Sequence, residues 1–220
     1  MEVAAVYIHI PFCHSICSYC DFCKMYYHEE LVDDYLTALE KEIATYYHGE
    51  EIKTLYIGGG SPSCLSLSQL KRLFQILDVF HLTKEREVTI EVNPEDIEEE
   101  KLRLWKRWGV NRISIGHETK QAKYLSDLGR SFCLTSEALS LVKRYFSNIN
   151  VDLMYGFANQ TKREFLEDIS TLLSFDVPHI STYSLILEEH TKLYLKHYPR
   201  LDGDVDASFY YLLSSILEQH

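Results

Sequence analysis

Short apolar runs of strand character alternate along these 220 residues with longer stretches whose apolar residues recur at helical spacing. The strand-like runs fall at 3–10, 54–57, 87–92, 112–115, 149–154 and 179–187. Helical patterns follow each of them: 31–47, from Ser66 or Ser68 to about 80, 96–108, 136–145, 161–174 and 206–218. Gly109 is placed to stop the third helix. Six β-then-α units imply a parallel sheet with right-handed crossovers. The expected fold is α/β, a partial (βα)6 barrel of parallel strands whose open side can admit a large substrate. No repeat, low-complexity tract or linker interrupts the pattern, so residues 1–220 read as a single domain. Parallel sheets of this kind bind ligands at the carboxyl ends of their strands.

Immediately after the first strand stand Cys13, Cys17 and Cys20, spaced C-x3-C-x2-C. Three thiolates are one short of a closed site. A cubane iron–sulfur cluster held by three cysteines keeps one iron without a protein ligand, and that iron can coordinate another molecule. Zinc remains an alternative, with His14 or Cys23 as a fourth ligand. Cysteines at i, i+4 and i+7 could also be small apolar residues of one helix face, but Pro11, Ser15, Ser18 and Asp21 argue against a buried helix here. A disulfide framework does not suit a chain of this length with no secretory signal before the cysteines.

Composition narrows the setting. Hydrophobic residues make up 46% of the chain and charged residues 25%, as in soluble globular proteins. No apolar run approaches the roughly 20 residues needed to span a bilayer, and the start lacks the basic region of a leader peptide. Six cysteines with a metal role suit a reducing cytoplasm, which is the expected location. A net charge of −11 argues against nucleic acid as a partner.

Gly58-Gly59-Gly60-Ser61-Pro62 follows the second strand. Glycines permit close backbone approach, so that exposed N–H and C=O groups can meet a polar ligand. The cysteine spacing resembles the cluster motif of the radical S-adenosylmethionine (SAM) enzymes. The glycine run resembles their Gly-Gly-Gly-Thr-Pro element, which holds the amino group of the SAM methionine; Ser61 keeps the hydroxyl of the Thr.

The likeness sharpens with Tyr-Ile-His-Ile-Pro-Phe-Cys, Ser-Tyr-Cys-Asp-Phe, Glu-Val-Asn-Pro-Glu, Gly-Val-Asn-Arg-Ile-Ser-Ile-Gly, Leu-Gly-Arg and Asp-Leu-Met-Tyr-Gly-Phe, in that order. This set is similar to the family of oxygen-independent coproporphyrinogen III oxidases and the related HemW heme chaperones. The resemblance implies that Cys13, Cys17 and Cys20 hold a [4Fe-4S] cluster. It implies that Tyr7, Tyr19 and Phe22 pack near the cluster or SAM, and that Gly59, Gly60 and Ser61 meet the methionine end. Glu91 would serve the ribose, and Arg130 and Asp152 would line the same pocket.

Some positions depart from the family. Glu118 stands where a Gln is usual, and an ionised carboxylate only accepts hydrogen bonds. It could also lie near Glu91 and repel it, so weaker SAM binding is expected. Gly156-Phe157-Ala158 replaces Gly-Leu-Pro. His117 offers an imidazole to heme iron, although a satisfied, partly exposed surface residue is the plainer reading.

Two features separate the branches. The oxidases carry a fourth cysteine two residues after the third, where this chain has Phe22, and a long segment ahead of the cluster, where it has twelve residues. Both favour the HemW-like branch. The family's domain after the barrel is expected to be absent. The expected function is a heme chaperone that binds heme and hands it to heme proteins. The alternatives are a coproporphyrinogen III oxidase, whose activity is not expected, and a truncated, inactive member. The heme acceptor and the electron donor are not identified by the residues.

Overall fold

The computed structural model describes residues 4–220. In chain order the elements are β1 (Ala5–Ile10), β2 (Phe12–Cys13), β3 (Met25–Tyr26), α1 (Glu29–Tyr46), β4 (Glu51–Gly59), α2 (Leu67–Leu77), β5 (His81–Val92) and α3 (Glu99–Trp108). There follow β6 (Arg112–Glu118), α4 (Ala122–Leu128), α5 (Ser136–Lys143), β7 (Asn148–Tyr155), α6 (Lys162–Ser174), β8 (His179–Ser184), α7 (Lys192–Leu195) and α8 (Gly203–Leu217). Six strands form one parallel sheet in the order β1-β4-β5-β6-β7-β8. Among the described residues the sheet does not close: β1 and β8 are its edges, as an open (βα)6 barrel requires. The expected strand start at residue 3 lies outside the described residues.

The two faces of the sheet differ because side chains alternate along each strand. One row is apolar and buried: Ile57, Ile90, Ile113 and Ile149 stand in register across four strands. The helices cover this face with Leu70 and Leu73 of α2, Trp105 of α3, and Phe165 and Ile169 of α6. Each such side chain contributes roughly 1.5–3 kcal/mol on burial. The alternate row is polar: Glu91, Ser114 and Asn150 stand side by side. Asn150 Nδ2 donates to Ser114 Oγ at 2.9 Å, and Ser181 Oγ donates to Asn150 Oδ1 at 2.9 Å. The barrel interior is therefore built to meet a polar ligand.

Local signals explain the helix limits. Ser66 forms a capping box with Gln69 at the start of α2, and Thr161 forms another with Glu164 at the start of α6. Gly109 ends α3 with φ +114°. Four elements go beyond the sequence reading: α4, the short α7, and the paired β2 and β3. Among the described residues, no helix is long and apolar enough to cross a membrane.

Candidate functional site

At the carboxyl end of the sheet the cysteine loop leaves β1 and returns through the β2–β3 pair, where Met25 N–H donates to the Pro11 carbonyl and Tyr27 N–H to that of Cys13. Its middle is tied down from the other side of the barrel. Ser18 N–H donates to the Leu128 carbonyl at 2.7 Å, and Leu193 N–H to the Ser18 carbonyl at 2.9 Å. His9 Nε2 donates to the Cys23 carbonyl at 2.7 Å, while its Nδ1 accepts from the Tyr7 hydroxyl at 3.0 Å. Lys24 Nζ donates to the Cys20 carbonyl.

The glycine run is stitched to this loop. Gly60 N–H donates to the Ile10 carbonyl and Ser61 N–H to that of Phe12. A Cβ at Gly60 would lie 2.8 Å from the Phe12 carbonyl oxygen and 2.9 Å from Cys13 Sγ, so only glycine lets the two segments approach. Gly59 has φ +120° and turns its N–H toward Glu91 Oε2 at 2.9 Å. The Tyr56 hydroxyl donates to the other Glu91 oxygen at 2.7 Å. Glu91 is thus a carboxylate fixed by two donors at a strand end, not a surface ion-pair partner.

Opposite them stands a buried ion pair. Arg130 Nη1 lies 3.3 Å from Glu118 Oε1 and donates toward Cys17 Sγ at 3.7 Å. Arg130 Nη2 donates to the Gly116 carbonyl at 3.1 Å and to Asn93 Oδ1 at 3.3 Å. The Tyr19 hydroxyl donates to Glu118 at 3.2 Å. Glu118 sits at a β-bulge with φ +63°, a backbone conformation that favours glycine, and such strain concentrates at functional sites. The expected repulsion from Glu91 is not found, for Glu91 is not among the groups that act on the Glu118 carboxyl. Burial pushes the Glu118 carboxyl up, and Arg130 and Tyr19 pull it back. Burial would lower Arg130, but Glu118, Cys17 and Tyr19 outweigh it. Asp152 is pushed up to about 7, first by burial and then by Glu118.

These groups line one cavity of about 390 Å³, within the ~300–1,000 Å³ of small-molecule sites. Cys13, Cys17, Cys20, Tyr19, Phe22, Gly59, Gly60, Ser61, Glu91, Glu118, Arg130 and Asp152 all face it. Tyr7 does not. It is 55% exposed, and its ring lies against Tyr56, the donor to Glu91. Phe22 lies at the rim with Tyr183 and Ile186.

The donor set fits a cationic cluster. Burial, then Cys20 and Cys17, push the Cys13 thiol up to about 12, and burial raises Cys17 and Cys20 as well. Crowded thiols of this kind become thiolate ligands when a bound cation supplies the opposing charge. Among the described residues no three His, Cys, Asp or Glu side chains converge on a single ion. The three thiols line a space rather than a point, and a cubane offers each thiolate a different iron.

One expectation is overturned. His117 is neither partly exposed nor turned to the cavity: it is fully buried, edge-on to Phe175, and its Nδ1 accepts from Leu134 N–H at 3.2 Å. Burial, then Arg130, lower it to about 4, and it is its enclosure away from the cavity, not its charge, that removes it as an iron ligand. Its neighbour's side chain takes the pocket because β6 bulges between Gly116 and Glu118. Phe157 is absorbed by the core, stacked on Tyr124 at 4.5 Å. Residues not anticipated include Asn93 and Lys24, which line the cavity, and His9, which holds the loop. Asn93 lies within the Glu-Val-Asn-Pro-Glu stretch, two residues after Glu91, which was the available signal.

Residues 7–172 match the family described as the Radical SAM superfamily. The chain is 39% identical to the heme chaperone HemW of Bacillus subtilis, over 98% of this chain and 60% of that protein. It is 35% identical to the HemW of Escherichia coli, over 85% and 52% respectively. The solved coproporphyrinogen III oxidase HemN of Escherichia coli superposes with a TM-score of 0.87 at 25% identity, over 99% of this chain and 52% of that one. The chain thus spans about half to three fifths of the length of these proteins.

Proposed function

The chain belongs to the radical SAM superfamily, and from that premise we propose that it is a HemW-like protein that binds a [4Fe-4S] cluster, SAM and heme, and delivers heme to heme proteins. The observation that carries the pocket assignment is the convergence of three cysteine thiols, a glycine cradle and a fixed carboxylate on one cavity. Cys13, Cys17 and Cys20 would hold the cluster. Bound together, the cluster and SAM supply reductive cleavage of a carbon–sulfur bond.

The protein's own groups divide the remaining work. Gly59, Gly60 and Ser61 would receive the methionine end, and Glu91 would accept from ribose hydroxyls. Arg130 is positioned for a carboxylate, although Glu118 competes for it. Asp152 would add a second acceptor. Tyr19 holds Glu118 in place. The rim residues Phe22, Tyr183 and Ile186 are more than half exposed and suit the apolar face of a planar macrocycle.

Similarity to proteins named heme chaperone supports the heme reading. The likeness to HemN supports a second reading, oxidative decarboxylation of coproporphyrinogen III. Phe22 weighs against it, standing where the oxidases carry a fourth cysteine. Anaerobic reconstitution with iron and sulfide, followed by heme titration and assay for protoporphyrinogen on one sample, separates the two. Heme binding without protoporphyrinogen is the expected result. Multiple turnovers to protoporphyrinogen would establish the oxidase instead.

A further inference from the structure

We propose that the buried Glu118–Arg130 pair sets the reduction potential of the cluster through Cys17: the guanidinium raises it by hydrogen bonding to the sulfur, and Glu118 holds it down by compensating that charge. This rests on the reading of Cys13, Cys17 and Cys20 as cluster ligands. Reduction adds an electron whose charge spreads to the ligating sulfurs, so the hydrogen bonds those sulfurs receive and the net charge around them tune the potential.

The guanidinium is fixed by its acceptors. Each terminal nitrogen carries two hydrogens and meets two acceptors. Nη2 donates to the Gly116 carbonyl at 3.1 Å and to Asn93 Oδ1 at 3.3 Å. Nη1 donates to Glu118 Oε1 at 3.3 Å and to Cys17 Sγ at 3.7 Å, a length that suits the larger radius of sulfur. Gly116 belongs to β6 and Asn93 follows β5, so two neighbouring strands aim this side chain at the cysteine loop. Of the three thiols, among the described residues, Cys17 alone takes a hydrogen bond from a charged side chain. Lys24 bonds to the Cys20 carbonyl, not to its sulfur.

Glu118 shares Nη1 with Cys17, so its charge lies within a few ångströms of the sulfur. It accepts from Arg130 and from the Tyr19 hydroxyl at 3.2 Å, and a guanidinium does not give up its proton, so the pair carries one charge of each sign. Both side chains are buried, where solvent and salt screen charges weakly. The bulge between Gly116 and Glu118 presents this carboxylate to Arg130 and holds a residue other than glycine at φ +63°. A neutral amide of the same shape would leave the guanidinium uncompensated beside the cluster and ease the arrival of an electron. The carboxylate is therefore the member of the pair that keeps the cluster strongly reducing, as reductive cleavage of a carbon–sulfur bond requires.

The test is a redox titration of the anaerobically reconstituted protein without SAM, with titanium(III) citrate as reductant and electron paramagnetic resonance of the reduced cluster as the readout. Glu118→Gln should shift the one-electron equilibrium toward reduction about tenfold, the scale of one interaction with a charged group, which is about 59 mV upward. Arg130→Lys keeps a cation for Glu118 but loses the planar fork that also reaches sulfur. It should move the potential downward and weaken the coupling of exchangeable protons to the cluster. The two shifts have opposite signs, so either variant decides the matter if the other fails to assemble a cluster. Glu218→Gln makes the same change of net charge at an exposed position just after α8 and should leave the equilibrium within about twofold of wild type. No shift, or shifts of the reverse sign, in Glu118→Gln and Arg130→Lys while wild type holds its cluster overturn the role of the pair alone, as does an equal shift in Glu218→Gln. A wild type that assembles no iron–sulfur cluster removes the cluster reading and this proposal together.

Discussion

Glu118 and Arg130 form an ion pair at 3.3 Å with side chains only 9% and 10% exposed, and the same guanidinium donates toward the sulfur of Cys17. A pair buried to this degree contributes little net stability when intact, but removal of one partner leaves an uncompensated charge. Arg130→Leu should therefore cost about 3–5 kcal/mol in chemical denaturation. Adding Glu118→Gln to that variant should restore more than ~1 kcal/mol, because the stranded carboxylate is gone. Simple additivity of the two changes would show that the pair is not coupled.

Glu118→Gln alone separates folding from binding. The amide keeps an acceptor for Arg130 but loses the charge, so stability should fall by about 1–3 kcal/mol. Arg130 is then released toward a ligand carboxylate, and SAM should bind more tightly. Weaker SAM binding in calorimetry would place Glu118 in contact with the cationic part of the ligand instead.

The pH dependence of the cofactor-free protein carries the sign of Asp152. Burial, then Glu118, raise this acid in the folded state to about 7, above its ordinary value. Between the two values the folded state binds more protons than the unfolded state, so the Asp152 contribution to stability is greatest at low pH and is lost as pH rises to about 7. Asp168, raised to about 6 by burial, acts in the same sense. His117, lowered to about 4 by burial, acts oppositely, losing stability as pH falls. The stability difference between Asp152→Asn and wild type isolates the first of these. It should favour the variant increasingly from about pH 4 to 7 and then level off. A pH-independent difference would mean that Asp152 is not held neutral by its surroundings.

Two glycines give a matched contrast. At Gly60 an added Cβ meets the Phe12 carbonyl oxygen at 2.8 Å, and backbone cannot swing aside. At Gly203 it meets nothing within 4 Å. Gly60→Ala should lower stability by about 1–3 kcal/mol and prevent cluster assembly, whereas Gly203→Ala should stay within ~0.5 kcal/mol of wild type. Thermal melts and iron analysis of both variants read this directly.

What could be read from the residues is what depends on local chemistry. The six-unit alternation is a matter of period, and it returns as six parallel strands with covering helices. The cysteine spacing and the glycine run carry their chemistry in sequence, and both line the cavity. The positions that escaped depend on distant packing. The seven-residue α4 has no side-chain cap, and it is recognisable through Gly129 only once the chain is folded. The polar first half of β5 is a strand because β4 pairs with it across a register shift between Ile52 and Thr54. His117 is buried because Leu134 and Phe175 close over it, and neither is near it in the chain.

The most direct measurement is the iron content of anaerobically reconstituted protein and of its cysteine variants. Wild type should bind about four irons per chain, with absorbance that depends on iron. Cys13→Ala, Cys17→Ala and Cys20→Ala should each abolish it, while Cys23→Ala, Cys64→Ala and Cys133→Ala should retain it. A protein that instead holds one zinc, with no iron-dependent absorbance, would contradict the assignment of these three thiols to a cluster.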